Sequence, residues 1–391
     1  MLKIKQNESF KRFILGLAVF LTVLTVFFFT SGGTTPYNYF TRLAHSFIHG
    51  RYWLTEELPW LSELIPSGDG RYFVAYPPMP AIIAIPFVAF FGINFPQQII
   101  SQLLGAGITV VTVAISWKLK KDKTLAIWSG ILVGVGSIIW FLSSSGSAWY
   151  LGQISAAFFL SLAIYEAVSK KRPVVVGVLL GAAYLSRIQT ILAIFFFIFV
   201  FDKKKFSNYL KLGVGILPFF LFNSFYNYAR FGAVWDKGYV LIPGVLNEIW
   251  YSKGLFNITY IPKHLKVIFA GLPKITSTFP YIVPSWAGLA IWITTPAFIY
   301  SVFAPIKEKL VKASWVSIFL ISLVIFSHGT TGFSQFGYRF AVDFYPLLIF
   351  LTIKGVAKSG LRWHHWLLLA IGVVVNTWGV IFINKFGWVS F

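Results

Sequence analysis

The chain contains no cysteine and only two methionines among its 391 residues. Without cysteine there are no disulfides, thiolate metal ligands or cysteine nucleophiles, and redox logic gives no clue to compartment. Acidic residues are also scarce: 12 Asp and Glu face 33 Lys and Arg, for a formal charge of +21. Charged residues of both signs reach only 12% of the chain, about half the share usual in a soluble domain. Hydrophobic residues fill 57%, aromatics 19% with 42 Phe, and the mean hydropathy is +0.75. This is the composition of a polytopic membrane protein, its aromatics facing lipid and forming interfacial belts. Nucleic acid is not needed to explain the positive charge. Of the 33 cations, 21 fall into six short clusters, over residues 3–12, 118–123, 170–172, 203–211, 307–312 and 354–362, each beside an apolar run. That is the pattern of cytoplasmic loops. Phe13–Thr30 is too long for a signal-peptide core and lacks a small-residue cleavage site, so it reads as an uncleaved first span.

A membrane crossing takes about 20 apolar residues, fewer where protein shields the helix. The expected crossings cover residues 12–30, 98–117, 124–143, 149–168, 173–187, 188–201, 210–226, 282–303, 312–328, 341–357 and 365–384. About eleven transmembrane helices thread all six basic clusters to one side, with the N-terminus cytoplasmic. The stretch 78–91 is short and punctuated by prolines 78, 80 and 86. A full crossing there would invert every later cluster, so it is expected to be an interfacial or re-entrant helix. Arg187, between two short spans, would cost about 3 kcal/mol in bare lipid and is expected to face a water-filled cavity. The expected fold is one all-α membrane domain over residues 1–391. Its two long extracytoplasmic loops cover residues 31–97 and 227–281.

Most carboxylates then share the outer side: Glu56, Glu57, Glu63, Asp69, Asp236, Glu248 and Asp343. In the first loop, residues 37–48 carry Phe40, Leu43, Ala44 and Phe47 at helical spacing, with Arg42, His45 and His49 on the opposite face and Gly50 placed to end the helix. Glu56 and Glu57 either solvate the loop or act as a base. Glu63, flanked by Trp60, Leu61, Leu64 and Ile65, has the drier setting, and dryness raises a carboxyl pKa toward the range of a general base. Asp69-Gly70 signals a hairpin turn, after which Arg71 is expected to point back to the mouth of a cavity. Near the C-terminus, Arg339 and Asp343 stand four apart. A local ion pair would secure the helix end, Arg339 could serve as a phosphate ligand, and both can hold at once with Asp343 orienting the guanidinium. Arg230 and Tyr239 lie in aromatic-rich stretches that suit sugar stacking or an interfacial belt equally. The histidines are too scattered for a metal site, and no glycine-rich phosphate loop is present.

Three features together form a pattern: a polar loop after the first span, the Tyr76-Pro77-Pro78-Met79-Pro80 entrance, and Tyr338-Arg339-Phe340 followed by Asp343 and Pro346. In these the chain resembles the GT-C superfamily of membrane glycosyltransferases, most nearly the protein O-mannosyltransferase and aminoarabinose transferase branch and its bacterial members. The resemblance implies sugar transfer from a polyprenyl-phosphate donor to an acceptor at the outer face of a plasma membrane, with inversion and a first-loop carboxylate as base. The polyprenyl-phosphate sugar is the donor substrate, no cofactor is certain and a divalent metal is left open; the partners are membrane lipid, the lipid-linked sugar and an acceptor the sequence does not name. Family members place an acidic residue just after the first span, where this chain reads Gly33-Thr34-Thr35-Pro36-Tyr37-Asn38. Glu63, Glu57 or His45 must substitute, or the chemistry is lost. Arg339, Arg187 and Arg71 are the expected phosphate ligands, with Arg230, Asp343 and Gln335 as further substrate contacts. A transporter or flippase is the reading of another class, disfavoured by apolar cores nearly free of charge. A non-catalytic protein of this fold is the third.

Overall fold

The computed structural model describes residues 2–201 and 205–390, without the side chains of residues 2–9, 11 and 12. The side chains of the first basic cluster, and Lys203 and Lys204 of the fourth, therefore lie outside what is described. The first span is helix α1 (Leu2–Phe29). The loop behind it folds as α2 (Tyr39–Ile48), which buries Tyr39, Phe40, Leu43 and Ala44. Gly50 follows at φ +70°, a left-handed conformation that only glycine adopts without strain. Next comes the expected hairpin, β1 (Leu64–Pro66) against β2 (Tyr72–Val74), in antiparallel register Leu64↔Val74. Gly68 and Gly70 supply φ of +82° and +80° at its turn.

The Tyr-Pro-Pro entrance leads into α3 (Met79–Phe91), with proline in its first turn, where a missing N–H is harmless. Then follow α4 (Gln97–Leu119), α5 (Lys123–Gly134), α6 (Ile139–Ser145) and α7 (Ala148–Val168). Helix α8 (Pro173–Tyr184) breaks at Arg187 into a 3₁₀ turn, Ile188–Ala193, and α9 (Ile194–Ile198). Helix α10 (Phe206–Phe231) returns the chain to the second long loop, which holds α11 (Ile261–Ala270) and a small hairpin of β3 (Lys274–Ile275) and β4 (Ile282–Val283). The last part comprises α12 (Ile291–Thr294), a 3₁₀ stretch Pro296–Phe303, α13 (Lys309–Phe326), a 3₁₀ helix Arg339–Asp343, α14 (Tyr345–Ser359) and α15 (Trp363–Ile381).

Five helices among the described residues are long and apolar enough to cross a membrane, six if α5 and α6, bent by 49°, count as one span. Against the expected crossings, about eleven in number, three stretches are irregular. Residues 173–201 form short broken pieces around Arg187. Residues 282–303 are strand, coil, one helical turn and 3₁₀ helix rather than a span. The crossing at 341–357 starts in 3₁₀ geometry and is α-helical only from Tyr345. Non-helical backbone at membrane depth survives only where protein satisfies its polar groups. The Asn376 amide does so for the Thr294 carbonyl, at 2.6 Å. Glycines permit the close packing: a Cβ on Gly177 would lie 2.3 Å from the Leu212 carbonyl of α10, and one on Gly355 would collide with the Tyr300 carbonyl.

The two ends of the bundle differ in chemistry. Lys120 donates to the Ala357 carbonyl at 3.1 Å, Lys354 pairs with Glu308 and Arg172 with Glu166, so four basic clusters gather where α4, α7 and α14 meet that end. Trp149 stands at the start of α7 and Glu166 near its finish, roughly 25 Å apart at 1.5 Å per residue. The first loop, Arg187 and Asp343 lie at the Trp149 end. Absence of native cysteine makes this polarity easy to check. Single cysteines at Ser67 and Ser277 should react with the same membrane-impermeant maleimide in intact cells, and one at Lys121 only after permeabilisation. Labelling of Ser67 and Ser277 from opposite sides would contradict the arrangement.

Candidate functional site

The hairpin sets Glu63 in place. It directly precedes β1, and its backbone N–H donates to the Tyr39 hydroxyl at 3.0 Å, tying it to the buried face of α2. Its carboxylate accepts from the Trp149 indole at 2.9 Å and from the Tyr239 hydroxyl at 3.4 Å. Burial pushes the carboxyl up to about 7, against the pull of the Trp149 hydrogen bond and the Arg339 charge. Trp149 also packs on Tyr37, ring centres 4.7 Å apart. Tyr37 belongs to the segment where the resemblance leads one to expect an acid and finds none. Through Trp149, a carboxylate from later in the same loop stands beside that vacant position.

Opposite lie two arginines and one acid. Arg187 occupies the break after α8 with extended backbone, φ −151° and ψ 108°. Its guanidinium pairs with Asp343 at 3.1 Å, and the Gln189 amide donates to the same carboxylate. Asp343 is fully buried. The local Arg339–Asp343 ion pair expected from spacing does not form, because residues 339–343 coil as a 3₁₀ helix and the acid turns to Arg187. Arg339 is left buried, with no ion pair among the described residues and with Nε lacking any hydrogen-bond partner. Its guanidinium carbon lies 4.8 Å from the Phe340 ring centre and 5.8 Å from that of Tyr150. Arg339 interacts electrostatically with Glu63, Arg187 and Tyr239, so these groups form one cluster.

A second layer holds Arg339 in position. Gln335 is fully buried; its oxygen accepts from the Arg339 N–H at 2.9 Å while its amide donates to the carbonyls of Ala287, Thr331 and Gly332. Gln153 of α7 donates to the Arg339 carbonyl at 3.0 Å. The neighbouring Tyr338 hydroxyl meets His264 Nδ1 at 2.6 Å, and His264 Nε2 donates to the His328 carbonyl at 2.8 Å. A carbonyl can only accept, so this histidine is the Nε2–H tautomer and Tyr338 donates to it. The His328 ring packs edge-on to Tyr239, Tyr251 and Phe340, and burial plus the two arginines pull its pKa down to about 4. It is neutral at physiological pH and leaves Arg339 as the uncompensated cation.

The cluster thus joins Glu63, Arg187, Arg339 and Asp343 of the residues singled out by sequence. Gln335 supports Arg339 from behind, its amide wholly engaged by backbone. Four others lie elsewhere. Arg71 pairs with Asp69 at 2.7 Å on the exposed hairpin turn, not at a cavity mouth. Arg230 is buried against Tyr226 and donates to Asn227 and to the Val74 carbonyl, stitching α10 to β2. Glu57 is exposed beside Tyr72, and His45 stacks on His49 along the polar face of α2. Trp149, Tyr150, Gln189 and His328 were not singled out from sequence. The signal that finds the first two is an aromatic pair in a short connection, at 149–150, on the same side as the acidic loop.

No protein-family model matches the sequence, and no curated protein matches it. Among solved structures, the chain is similar to ArnT from Cupriavidus metallidurans. It aligns with the apo state at 14% identity and TM-score 0.56, and with the form bound to undecaprenyl phosphate at 13% and 0.53. In both, 93% of this chain is covered but only 63% and 62% of ArnT, so the chain spans under two thirds of that protein's length. The chain therefore shares its fold with ArnT.

Removing one partner of a buried ion pair strands the other, at a cost of about 3 kcal/mol or more. Asp343→Ala should therefore lower thermal stability in detergent far more than Asp69→Ala, whose pair is exposed. Equal melting temperatures for the two variants would show that the Asp343 pair does not organise this end of the fold.

Proposed function

We propose that the chain is a glycosyltransferase that moves a sugar from a polyprenyl-phosphate donor to an acceptor hydroxyl at the extracytoplasmic face of a bacterial plasma membrane. The observation that carries this reading is the buried, unpaired Arg339 guanidinium in the same chamber as a carboxyl poised near neutrality, Glu63. Support also comes from the ArnT fold, one of whose structures holds undecaprenyl phosphate. Basic clusters at the opposite end favour a cytoplasmic placement for that end, and hence an outward chamber.

The chemistry needs two things from the protein. The acceptor oxygen must lose a proton as it attacks the anomeric carbon, and ionised Glu63 takes it. The bond from that carbon to the phosphate oxygen breaks, and its electron pair leaves on the phosphate. Arg339 receives that charge through its free donors, a preorganised role of the kind that dominates in dry sites. Arg187, held by Asp343, adds a second positive charge. One displacement inverts the anomeric centre. Trp149 and Tyr239 donate to the Glu63 carboxylate, keeping it aimed while burial keeps it basic.

With purified protein and radiolabelled polyprenyl-phosphate sugars, Glu63→Gln should slow transfer or hydrolysis by about 10²–10⁴-fold, the usual worth of a general base. Arg339→Ala should lose both donor affinity and rate, while Glu57→Gln and Arg71→Ala stay near wild type. The base works ionised, so the wild-type rate should climb as pH rises through about 7 and then level. Full activity in Glu63→Gln, or a pH profile unchanged by it, would remove Glu63 from the mechanism.

A further inference from the structure

A groove lies apart from this chamber, between the turn after α2, the first half of α3 and the last turns of α10. It encloses about 340 Å³, within the range of sites that take a small molecule. Its walls are apolar, formed by Phe47, Ile82, Ile85, Phe222 and Phe225. Phe225 is 68% exposed and Leu221 beside it 62%, so the groove opens on the lipid-facing side of α10. Two of its lining residues carry polar atoms that are buried and make no hydrogen bond: Arg51 Nε and the Tyr226 hydroxyl. Tyr226 is 3% exposed, its ring held by the Arg230 guanidinium 3.8 Å from the ring centre. No acidic residue lines the groove.

Buried donors are normally satisfied, and each exception calls for a partner. Here an arginine Nε and a tyrosine hydroxyl without partners line a groove whose other walls are mostly apolar. We propose that this groove binds an anionic, phosphate-headed membrane lipid. Its phosphate accepts hydrogen bonds from Arg51 and Tyr226, and its chain runs along the phenylalanine and isoleucine wall. Guanidinium–phosphate contacts are charge-assisted and directional, and a free phosphate ion would gain nothing from the apolar walls. The groove shares no lining residue with Glu63, Arg187, Arg339 or Asp343. It stands whether or not the chain transfers a sugar.

The test is native mass spectrometry of the full chain in nonionic detergent, with phosphatidic acid, phosphatidylcholine or inorganic phosphate as probe. Wild type should hold phosphatidic acid in preference to phosphatidylcholine, and millimolar phosphate should not displace it. Arg51→Gln and Tyr226→Phe should each weaken retention by about tenfold, the loss of one good hydrogen bond to a charged group. Ala229→Trp, which fills the groove, should abolish retention with an unchanged melting temperature, and Arg339→Ala should retain lipid as wild type does. Wild-type retention by both Arg51→Gln and Ala229→Trp would overturn the proposal. So would equal binding of phosphatidylcholine, or loss of lipid in Arg339→Ala, which would put the lipid in the central chamber.

Discussion

One buried carboxylate, Asp343, serves a chamber that contains two arginines, and the rest of the site follows from which one it takes. It takes Arg187, drawing the break after α8 against the 3₁₀ helix that precedes α14. A buried charge without a counter-ion is costly, so the assignment leaves Arg339 as the place where an incoming anion is most strongly rewarded. Had Asp343 paired with Arg339, the chamber would be neutralised at its centre and the cation would sit at the α8 break instead.

Irregular backbone gathers around this choice. The α8 break, the Arg339–Asp343 3₁₀ helix and the 282–303 segment are all non-helical, in a protein whose surroundings penalise every unpaired peptide group. Side chains satisfy part of this backbone: Gln153 of α7 and Gln335 bond that of Arg339, and Asn376 of α15 bonds that of Thr294. The return is freedom of aim. On a regular helix, Arg339 and Asp343 would sit on one face and meet each other; off it, they address different partners.

Local features of the first loop were legible in the chain. The amphipathic helix ended by Gly50, the Asp-Gly hairpin and the proline entrance to α3 are each encoded within a few residues, and each formed. Glu63 was readable as the drier acid because its apolar neighbours adjoin it in sequence, and three of them, Leu61, Leu64 and Ile65, are buried in the core while Trp60 stays exposed. Arg71 was misplaced for the converse reason. Its nearest acid, Asp69, is two residues away on the exposed turn, and that pair forms before any cavity can claim the arginine. The spacing of Arg339 and Asp343 suggested helical neighbours, but the stretch is not α-helical. Arg230 looked like part of an aromatic substrate wall and instead serves as a tether between α10 and β2.

Composition and charge clustering sufficed to indicate a many-span membrane protein with most of its acids at one end and its basic clusters at the other. Those properties are sums or near-neighbour patterns, which survive any detail of packing. The grouping of Glu63 with Trp149, Tyr239 and Arg339, and of Arg187 with Asp343 across an interval of 156 residues, needed the folded chain. Such pairings depend on where helices break and how far each crosses, and no local pattern in the chain specifies either. The orphaned donors of Arg51 and Tyr226 belong to the same category, since a missing partner is visible only when every neighbour is in place.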